Sequence, residues 1–206
     1  MTKINDSSLP EKDKDTEESA DLASAIAMAM DRQEMRLTGI YGDINEEKCS
    51  EAVYGLVALD NAEKNENTAA PIEFYISTYG GQATEMFSVY DVMRIVRERV
   101  PIHTYGVGKV MSAGVLLLAA GTKGERRIGK SCRVMIHGVV GGQQGHIADI
   151  ENEFSETKLT QKMYVESLVE ETKMTKKYIK KLIDRKTNVY FDAKEAVKLG
   201  IADIIF

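Results

Sequence analysis

The sequence has few of the residues that build metal centres and disulfide scaffolds. Among its 206 residues it contains two cysteines, three histidines, three prolines and no tryptophan. Cys49 and Cys132 are far apart and form no Cys-x-x-Cys pair, so we expect free thiols in a reducing compartment. Because there is no Cys/His cluster, a zinc site is not expected, and the sequence predicts neither a metal nor another cofactor.

Long apolar runs and a strong charge of one sign are also missing. The longest apolar stretch, residues 115–120, is far shorter than the ~20 residues that a membrane helix requires. The first residues are polar and acidic, without the basic and apolar regions of a secretory signal. The net charge of −5 disfavours nucleic-acid binding, and we interpret the short basic runs at 126–127 and 176–181 as solvated faces. We therefore expect a cytoplasmic protein, or one of a plastid stroma or a phage host's cytoplasm, with no membrane or nucleic-acid partner.

The first 35 residues differ in character from the rest of the chain. Residues 1–19 are too polar to build a core, which predicts a disordered tail, and small residues and methionines at 20–35 predict a short helix. We interpret 1–35 as a divergent N-terminal segment and 36–206 as the main domain. A domain of this size buries most of its apolar surface in one core.

Apolar runs and 3.6-residue periodicities alternate along the main domain. Strands are predicted at 37–44, 72–77, 102–107, 133–138 and 201–206. Helices are predicted at 46–60, 84–97, 112–120, 147–172, after Thr175, and at 192–200, where Asp192, Glu195 and Gly200 are suited to capping. This alternation predicts an α/β fold with a largely parallel sheet and helices packed outside it.

The segment GKVMSAGVLLLAAG at 108–121 places Ser112 between a glycine-containing turn and an apolar helix. Backbone N–H groups at a helix N-terminus lack partners and favour negative charge. If the Ser112 hydroxyl attacks a carbonyl, the Ala113 N–H lies beside the oxyanion that forms. A serine at this position is also a common N-cap, so the segment alone is consistent with either role.

Two further segments add to this pattern. A Gly-Gly step follows the strand at 72–77, at the carboxyl end where open α/β sheets usually build their sites. The Gly81 N–H is a candidate second oxyanion donor, although a simple turn also explains these glycines. His137 lies 25 residues after Ser112, at the end of the predicted strand at 133–138, which suits a general base. We interpret His103 and His146 as structural.

In this order and spacing the segments resemble the proteolytic subunit of Clp proteases, the ClpP family. The matching motifs, between about residues 37 and 206, are YGG, GKVMSAG, MIHG, GGQQG followed by DIENEF, and AKEAVKLGIAD. The resemblance implies a ClpP/crotonase-like α/β fold, with a spiral β-sheet, outer helices and a protruding handle helix at about 147–172. It also implies a homo-oligomer of heptameric rings, stacked as a tetradecamer, into which an AAA+ Clp ATPase feeds unfolded polypeptides. The chain itself has no GxxxxGK[ST] loop, so ATP use falls to that partner.

Carried over by position, the resemblance implies a serine endopeptidase that works through an acyl-enzyme. Ser112 is then the nucleophile and His137 the general base and acid. The other implied residues lie on the segments around the scissile bond: Gly81 and Ala113 for the oxyanion, and Gln82, Ala83 and Val140 for an extended substrate held by strand addition.

The third position of the triad departs from the family, which usually has aspartate there. The aligned stretch places Asn188 at this position. Asparagine can accept the His137 Nδ1–H bond and fix the tautomer, but it adds no negative charge to stabilise the imidazolium. Asp184 and Asp192 are alternative third members, and a site without a functional third member also stays open.

Other departures bear on assembly. Thr187 replaces an arginine that the family uses in ring-to-ring contacts, and Tyr79 replaces the common proline before Gly-Gly. Glu73 stands where the family often has an aromatic residue in its ATPase-docking cleft, although Tyr75 is kept.

Three hypotheses follow from these observations. The leading one is an active serine endopeptidase. The second is a weakly active or inactive structural ring subunit that assembles with an active paralogue, which Asn188 and Thr187 motivate. The third is a crotonase-type acyl-CoA enzyme, which also uses two backbone N–H groups but does not need a serine and a histidine at this spacing.

Overall fold

The computed structural model describes residues 35–62 and 70–206. The tail predicted at 1–19 and the helix predicted at 20–35 lie outside these residues. Residues Arg36–Phe206 form one unit, whose secondary structure alternates between strands and helices as the sequence predicts. Within the described residues no helix is both long enough and apolar enough to cross a membrane.

The sheet has seven strands within the described residues. They are β1 (Leu37–Tyr41), β2 (Ile72–Thr78), β3 (Ile102–Met111), β4 (Arg127–Ile128), β5 (Arg133–Ile136), β6 (Val189–Phe191) and β7 (Ile204–Ile205). The order β1-β2-β3-β4-β7 is parallel throughout. The far end of β3 pairs with β5, also in parallel, and β6 pairs with β5 as the one antiparallel neighbour in this described sheet. The prediction of a largely parallel sheet is confirmed.

Six helices of the described residues connect these strands. They are α1 (Glu46–Ala62), α2 (Ala83–Val96), α3 (Ala113–Ala119), α4 (Ile147–Glu171), α5 (Lys176–Ile183) and α6 (Ala193–Leu199). The predicted cap of α6 is present, because the Asp192 carboxylate accepts the Glu195 N–H at 2.8 Å and the Glu195 carboxylate accepts the Asp192 N–H at 2.9 Å. Gly200 ends α6 in the left-handed conformation.

Helix α3 lies at the centre of the core. All seven of its residues are buried, and Leu116, Leu117 and Leu118 have no exposed surface. Burying a leucine side chain completely contributes roughly 1.5–3 kcal/mol. The residue immediately before α3 is Ser112, so the core fixes the position of the candidate nucleophile.

Helix α4 is anchored at its C-terminal end only. Its buried residues are confined to the last two turns, from Tyr164 to Glu171, whereas residues 147–156 are all exposed. The Glu171 carboxylate accepts hydrogen bonds from Arg97 at 2.6 Å and Lys123 at 2.7 Å. Burial alone would raise the pKa of Glu171, but these two cations outweigh burial and lower it. The mixed α/β architecture, with one long helix anchored at one end, agrees with the predicted ClpP/crotonase-like fold.

Candidate active site

Ser112 occupies a strained turn between β3 and α3. Its backbone has φ 53° and ψ −121°, an uncommon conformation for a residue with a side chain, and such strain costs about 1–3 kcal/mol. The Ser112 N–H donates to Met135 O at 2.7 Å, and the Ser112 carbonyl accepts from Val115 N–H and Tyr164 O–H, each at 3.0 Å. Ser112 stands at the N-cap position of α3, as the sequence suggested, but its hydroxyl makes no capping hydrogen bond.

Gly80 makes room for this serine, and the next residue, Gly81, makes room for the backbone of Ile44. A Cβ atom on Gly80 would lie 2.7 Å from Ser112 Cβ and 3.2 Å from Ser112 Oγ. A Cβ atom on Gly81 would lie 2.1 Å from Ile44 O, a backbone atom that has little freedom to move. Both glycines have positive φ, 104° and 156° respectively. The Gly-Gly step therefore serves both as a turn and as a close approach of the backbone to Ser112.

Two backbone N–H groups that line the pocket have no acceptor among the described residues. Within the described residues neither the Gly81 N–H nor the Ala113 N–H donates a hydrogen bond to another protein group. The Ser112 N–H is different, because Met135 O already accepts it. The pair predicted from the sequence thus consists of N–H groups that are available to a substrate carbonyl.

Strand register brings the histidine to the same edge of the sheet. Met111 of β3 pairs with Met135 of β5, and the Ser112 N–H extends that ladder by one hydrogen bond. His137 follows β5 directly, so it emerges beside Ser112 at the carboxyl ends of two adjacent parallel strands. This is the edge where ligands usually bind in α/β sheets.

The same strand places Asn188 opposite His137. In the antiparallel pair, Ile136 of β5 lies opposite Val189 of β6. The next position on each strand is His137 on one side and Asn188 on the other. Asp192 lies beyond the far end of β6, where its carboxylate caps α6.

One pocket of about 630 Å³ collects most of the predicted residues. Seven of the eight line it: Gly81, Gln82, Ala83, Ser112, Ala113, His137 and Val140. Asn188 does not; it lines an adjacent cavity of about 440 Å³, together with His137, Thr187 and Asp184. His137 is thus a wall shared by both cavities.

The three candidate triad side chains are not linked by hydrogen bonds in the described part of the chain. Within the described residues no hydrogen bond joins Ser112 Oγ to His137, or His137 to Asn188. Such bonds are often long in a peptidase without substrate and shorten when the substrate binds. Ser112 and His137 therefore line one cavity, and His137 and Asn188 line the adjacent one, without hydrogen bonds between these side chains.

The glycine-rich segment after His137 runs beside α4. The Val139 N–H donates to Gln161 Oε1 at 3.2 Å, which attaches the start of this segment to the helix. Val140 is 82% exposed, and residues 137–145 form no strand with the rest of the sheet. An exposed segment whose backbone has no strand partner can pair with a peptide by strand addition.

The structure adds pocket residues that the sequence did not reveal. Tyr164 of α4 is almost fully buried and lines the pocket, with its O–H on the Ser112 carbonyl. Burial raises the pKa of Tyr164 well above its ordinary value, so the phenol stays protonated and able to donate. Ile44, from the loop after β1, and Met86 of α2 give the pocket apolar walls. In the sequence, the helical period of α4 predicts that residue 164 is buried, but it does not reveal the hydrogen bond to Ser112.

Comparison with known families agrees with these geometric features. The model of a family described as Clp protease matches residues 19–206, which is nearly the whole chain and includes every residue of the pocket. This match identifies a ClpP-type peptidase and supports the ClpP/crotonase-like fold. The chain therefore belongs to the Clp protease family.

Proposed function

We propose that this chain is a serine endopeptidase subunit of a Clp-type protease that cuts unfolded polypeptides through an acyl-enzyme. The observation that carries the proposal is the register of β3, β5 and β6, because it gathers Ser112, His137 and Asn188 at one edge of the sheet. Membership of the Clp protease family supports peptidase chemistry in general.

The first chemical step is attack by Ser112 Oγ on the carbonyl carbon of the scissile bond. His137 takes the proton from the hydroxyl and later gives it to the leaving amine. The negative charge that develops on the carbonyl oxygen is stabilised by the N–H groups of Gly81 and Ala113. Water then attacks the acyl-enzyme, with His137 again as the base, and regenerates the free Ser112 hydroxyl.

The substrate is held as an extended strand between two segments. Gln82 and Ala83, at the start of α2, and Val140, in the segment after β5, all line the pocket. Met86 and Tyr164 line the same pocket, and their apolar surface suits an apolar side chain next to the cleaved bond. Asn188 orients His137, and Asp184, which lines the same second cavity, is the alternative partner.

A serine-directed probe tests the assignment of the nucleophile. A fluorophosphonate is expected to label the wild-type protein and the control Ser131→Ala, in which an exposed serine is removed, but not Ser112→Ala. Tandem mass spectrometry of the tryptic peptides locates the modified residue. Labelling that persists in Ser112→Ala would reject Ser112 as the nucleophile.

The assembly is proposed on the family's general pattern, an oligomer with a Clp ATPase partner. We propose heptameric rings, stacked as a tetradecamer, with the peptidase domain at 36–206. On the sheet surface Tyr75 stacks on Tyr105 with ring centroids 4.5 Å apart, and Glu73 lies beside Tyr105 at 3.4 Å, which makes this proposed docking face partly charged. Native mass spectrometry with and without a Clp-type ATPase is expected to show the rings and the complex.

Both described cysteines are buried and unpaired, which fits the reducing cytoplasm.

A structural ring subunit is the second candidate function. Two observations favour it: the third triad position is a neutral asparagine, and His137 has no hydrogen bond to Asn188 in the described residues. An activity assay of the purified homomeric protein on a short fluorogenic peptide distinguishes the active peptidase from the structural ring subunit. Turnover that is lost in Ser112→Ala would exclude the purely structural role, whereas turnover only after a paralogue is added would support it.

A further inference from the structure

Three cavities of this protein adjoin one another, and the first of them is lined by Ser112. The catalytic pocket and the cavity of Asn188 share a wall made of His137 and residues 138–140. That second cavity shares Gln161, Ile183 and Asp184 with a third cavity of about 500 Å³, between α4 and α5. A polypeptide whose scissile bond lies at Ser112 therefore has two further cavities next to the one that holds the bond.

The third cavity is lined by positive charge. Lys158 and Lys162 of α4 are one helical turn apart, as are Lys176 and Lys180 of α5, and all four line it. We call this cavity the lysine groove. Asp184 is the carboxylate that lines it, and Glu166 pairs with Lys176 from outside at 2.9 Å. The four lysines therefore outnumber the two carboxylates, Asp184 and Glu166, and the lysine groove keeps a net positive charge.

This charge is unusual for the chain. Residues 173–186 contain seven of the 27 lysines and arginines but only one acidic residue, although the whole chain has a net charge of −5. Helix α5 explains how the lysines come to face outward, because Ile179, Leu182 and Ile183 are buried while the residues between them are exposed. Like charges one turn apart destabilise a helix slightly, and a ligand with negative charge would relieve that repulsion.

We propose that the lysine groove binds acidic side chains of the polypeptide that is being cut. This inference rests on the proposed peptidase function and adds a substrate preference to it: an apolar residue at the cleaved bond and carboxylates several residues away on one side. Ammonium groups at the ends of flexible lysine side chains bind carboxylates without a fixed geometry, which suits an unfolded chain of variable sequence. The ligand class is an acidic peptide segment.

Matched peptides test the preference. Each fluorogenic peptide carries the same apolar cleavage site, with a block of four glutamates or of four glutamines placed four to seven residues away, on either the N-terminal or the C-terminal side. At low ionic strength we expect the glutamate block on one side to raise kcat/KM about three- to tenfold over its glutamine twin, since each exposed ion pair contributes modestly. The difference is expected to disappear at ~0.5 M salt, which screens exposed charges.

Two double variants with the same change in net charge supply the control. Lys162→Gln with Lys180→Gln removes charge from the lysine groove, whereas Lys194→Gln with Lys198→Gln removes it from α6, whose exposed lysines line none of the three cavities. We expect the first variant to lose the preference for acidic peptides while cutting the glutamine peptides at the wild-type rate. The second variant is expected to keep the preference. Equal rates for glutamate and glutamine peptides in the wild type, or a preference retained in the first variant, would overturn the proposal.

A binding measurement tests the lysine groove independently of whether the protein is a peptidase. Fluorescence anisotropy with Ser112→Ala protein and labelled glutamate or glutamine peptides reports binding without cleavage. If no peptide is cut by the wild type, tighter binding of the glutamate peptide that depends on Lys162 and Lys180 still supports the lysine groove, whereas equal binding rejects it. Binding of a short single-stranded DNA without binding of the glutamate peptide would also overturn the assignment of an acidic peptide.

Discussion

Removing one hydroxyl group, that of Tyr164, tests whether α4 holds Ser112 in its strained conformation. The Tyr164 O–H donates to the Ser112 carbonyl at 3.0 Å, from a side chain that is almost fully buried. Tyr164→Phe removes this donor and keeps the ring that lines the pocket. Because burial raises the pKa of Tyr164, the wild-type phenol donates throughout the pH range of an activity assay.

The size of the effect follows from the other partner of the same carbonyl. Ser112 O still accepts from the Val115 N–H at 3.0 Å, so the variant does not leave a buried acceptor without any donor. The loss is then that of an ordinary hydrogen bond, about 1 kcal/mol. Ser112 needs constraints of this kind because its φ of 53° costs roughly 1–3 kcal/mol. A loss of about 1 kcal/mol lowers the equilibrium constant between the reactive conformation and its alternatives about fivefold.

We therefore expect Tyr164→Phe to lower kcat about fivefold on a fluorogenic peptide, with KM changed by less than about twofold because the pocket wall is kept. Tyr54→Phe is the control, since that side chain is 74% exposed and lies on α1. Urea unfolding of both variants measures the free energy of unfolding in parallel. If Tyr164→Phe lost about 1 kcal/mol of stability with kcat unchanged, the hydrogen bond would be structural and the inferred positioning of Ser112 would be refuted.

Three further predictions concern the triad, the core and the oxyanion loop. Asn188→Asp is expected to raise kcat at least about tenfold, because a carboxylate stabilises the imidazolium of His137, and an unchanged rate would mean that Asn188 does not face His137. Glu171→Gln is expected to lower the free energy of unfolding by about 3 kcal/mol at pH 7, measured in urea. Because the pKa of Glu171 is lowered in the folded protein, its contribution to the free energy of unfolding is complete above the unfolded pKa of about 4.5 and is lost as the pH falls through the folded pKa. A Glu171→Gln variant whose stability depends on pH as much as that of the wild type would contradict this. Gly80→Ala is expected to reduce kcat more than about 100-fold with circular dichroism unchanged, because the added Cβ would lie 2.7 Å from Ser112 Cβ, and wild-type activity would disprove that contact.

The helices were predicted from the sequence more accurately than the strands, for a physical reason. The capping signals of α6 are local, and its Asp192–Glu195 pair forms as predicted. Strand β3 was predicted to end at residue 107 because Gly108 usually interrupts a strand. In the structure Gly108 adopts φ 65° within β3, where the register with β2 shifts, and the strand continues to Met111.

Strands β4 and β6 were missed because they are too short to show an alternating pattern. β4 has two residues and β6 has three, and each is defined by a partner that is distant in sequence. Ile128 pairs with Ile205, and Val189 pairs with Ile136. No local pattern can contain such information, since the hydrogen bonds that make these segments strands arise only in the folded chain.

The candidate site divides in the same way. The order of the motifs along the chain, and the family resemblance that they carry, was enough to nominate Ser112 before an apolar helix and His137 after a strand. The contribution of Gly80 depends on a contact with the Ser112 side chain, and that of Tyr164 depends on the packing of α4 against the turn before α3. Both contacts join segments that are distant in sequence. The sequence therefore shows a glycine at position 80 and predicts a buried residue at position 164, but it does not show what either residue contacts.

Strand β5 is the element on which the geometry of the site depends most. It pairs with β3 on one side and with β6 on the other, so its register sets the position of His137 relative to both Ser112 and Asn188. A slip of one residue on either side would turn the histidine to the opposite face of the sheet. Val134, Met135 and Ile136 are all buried, so burial alone distinguishes the two registers poorly. The hydrogen bond from Ser112 N–H to Met135 O continues the ladder between β3 and β5, so the backbone of the candidate nucleophile is joined directly to the strand that ends next to His137.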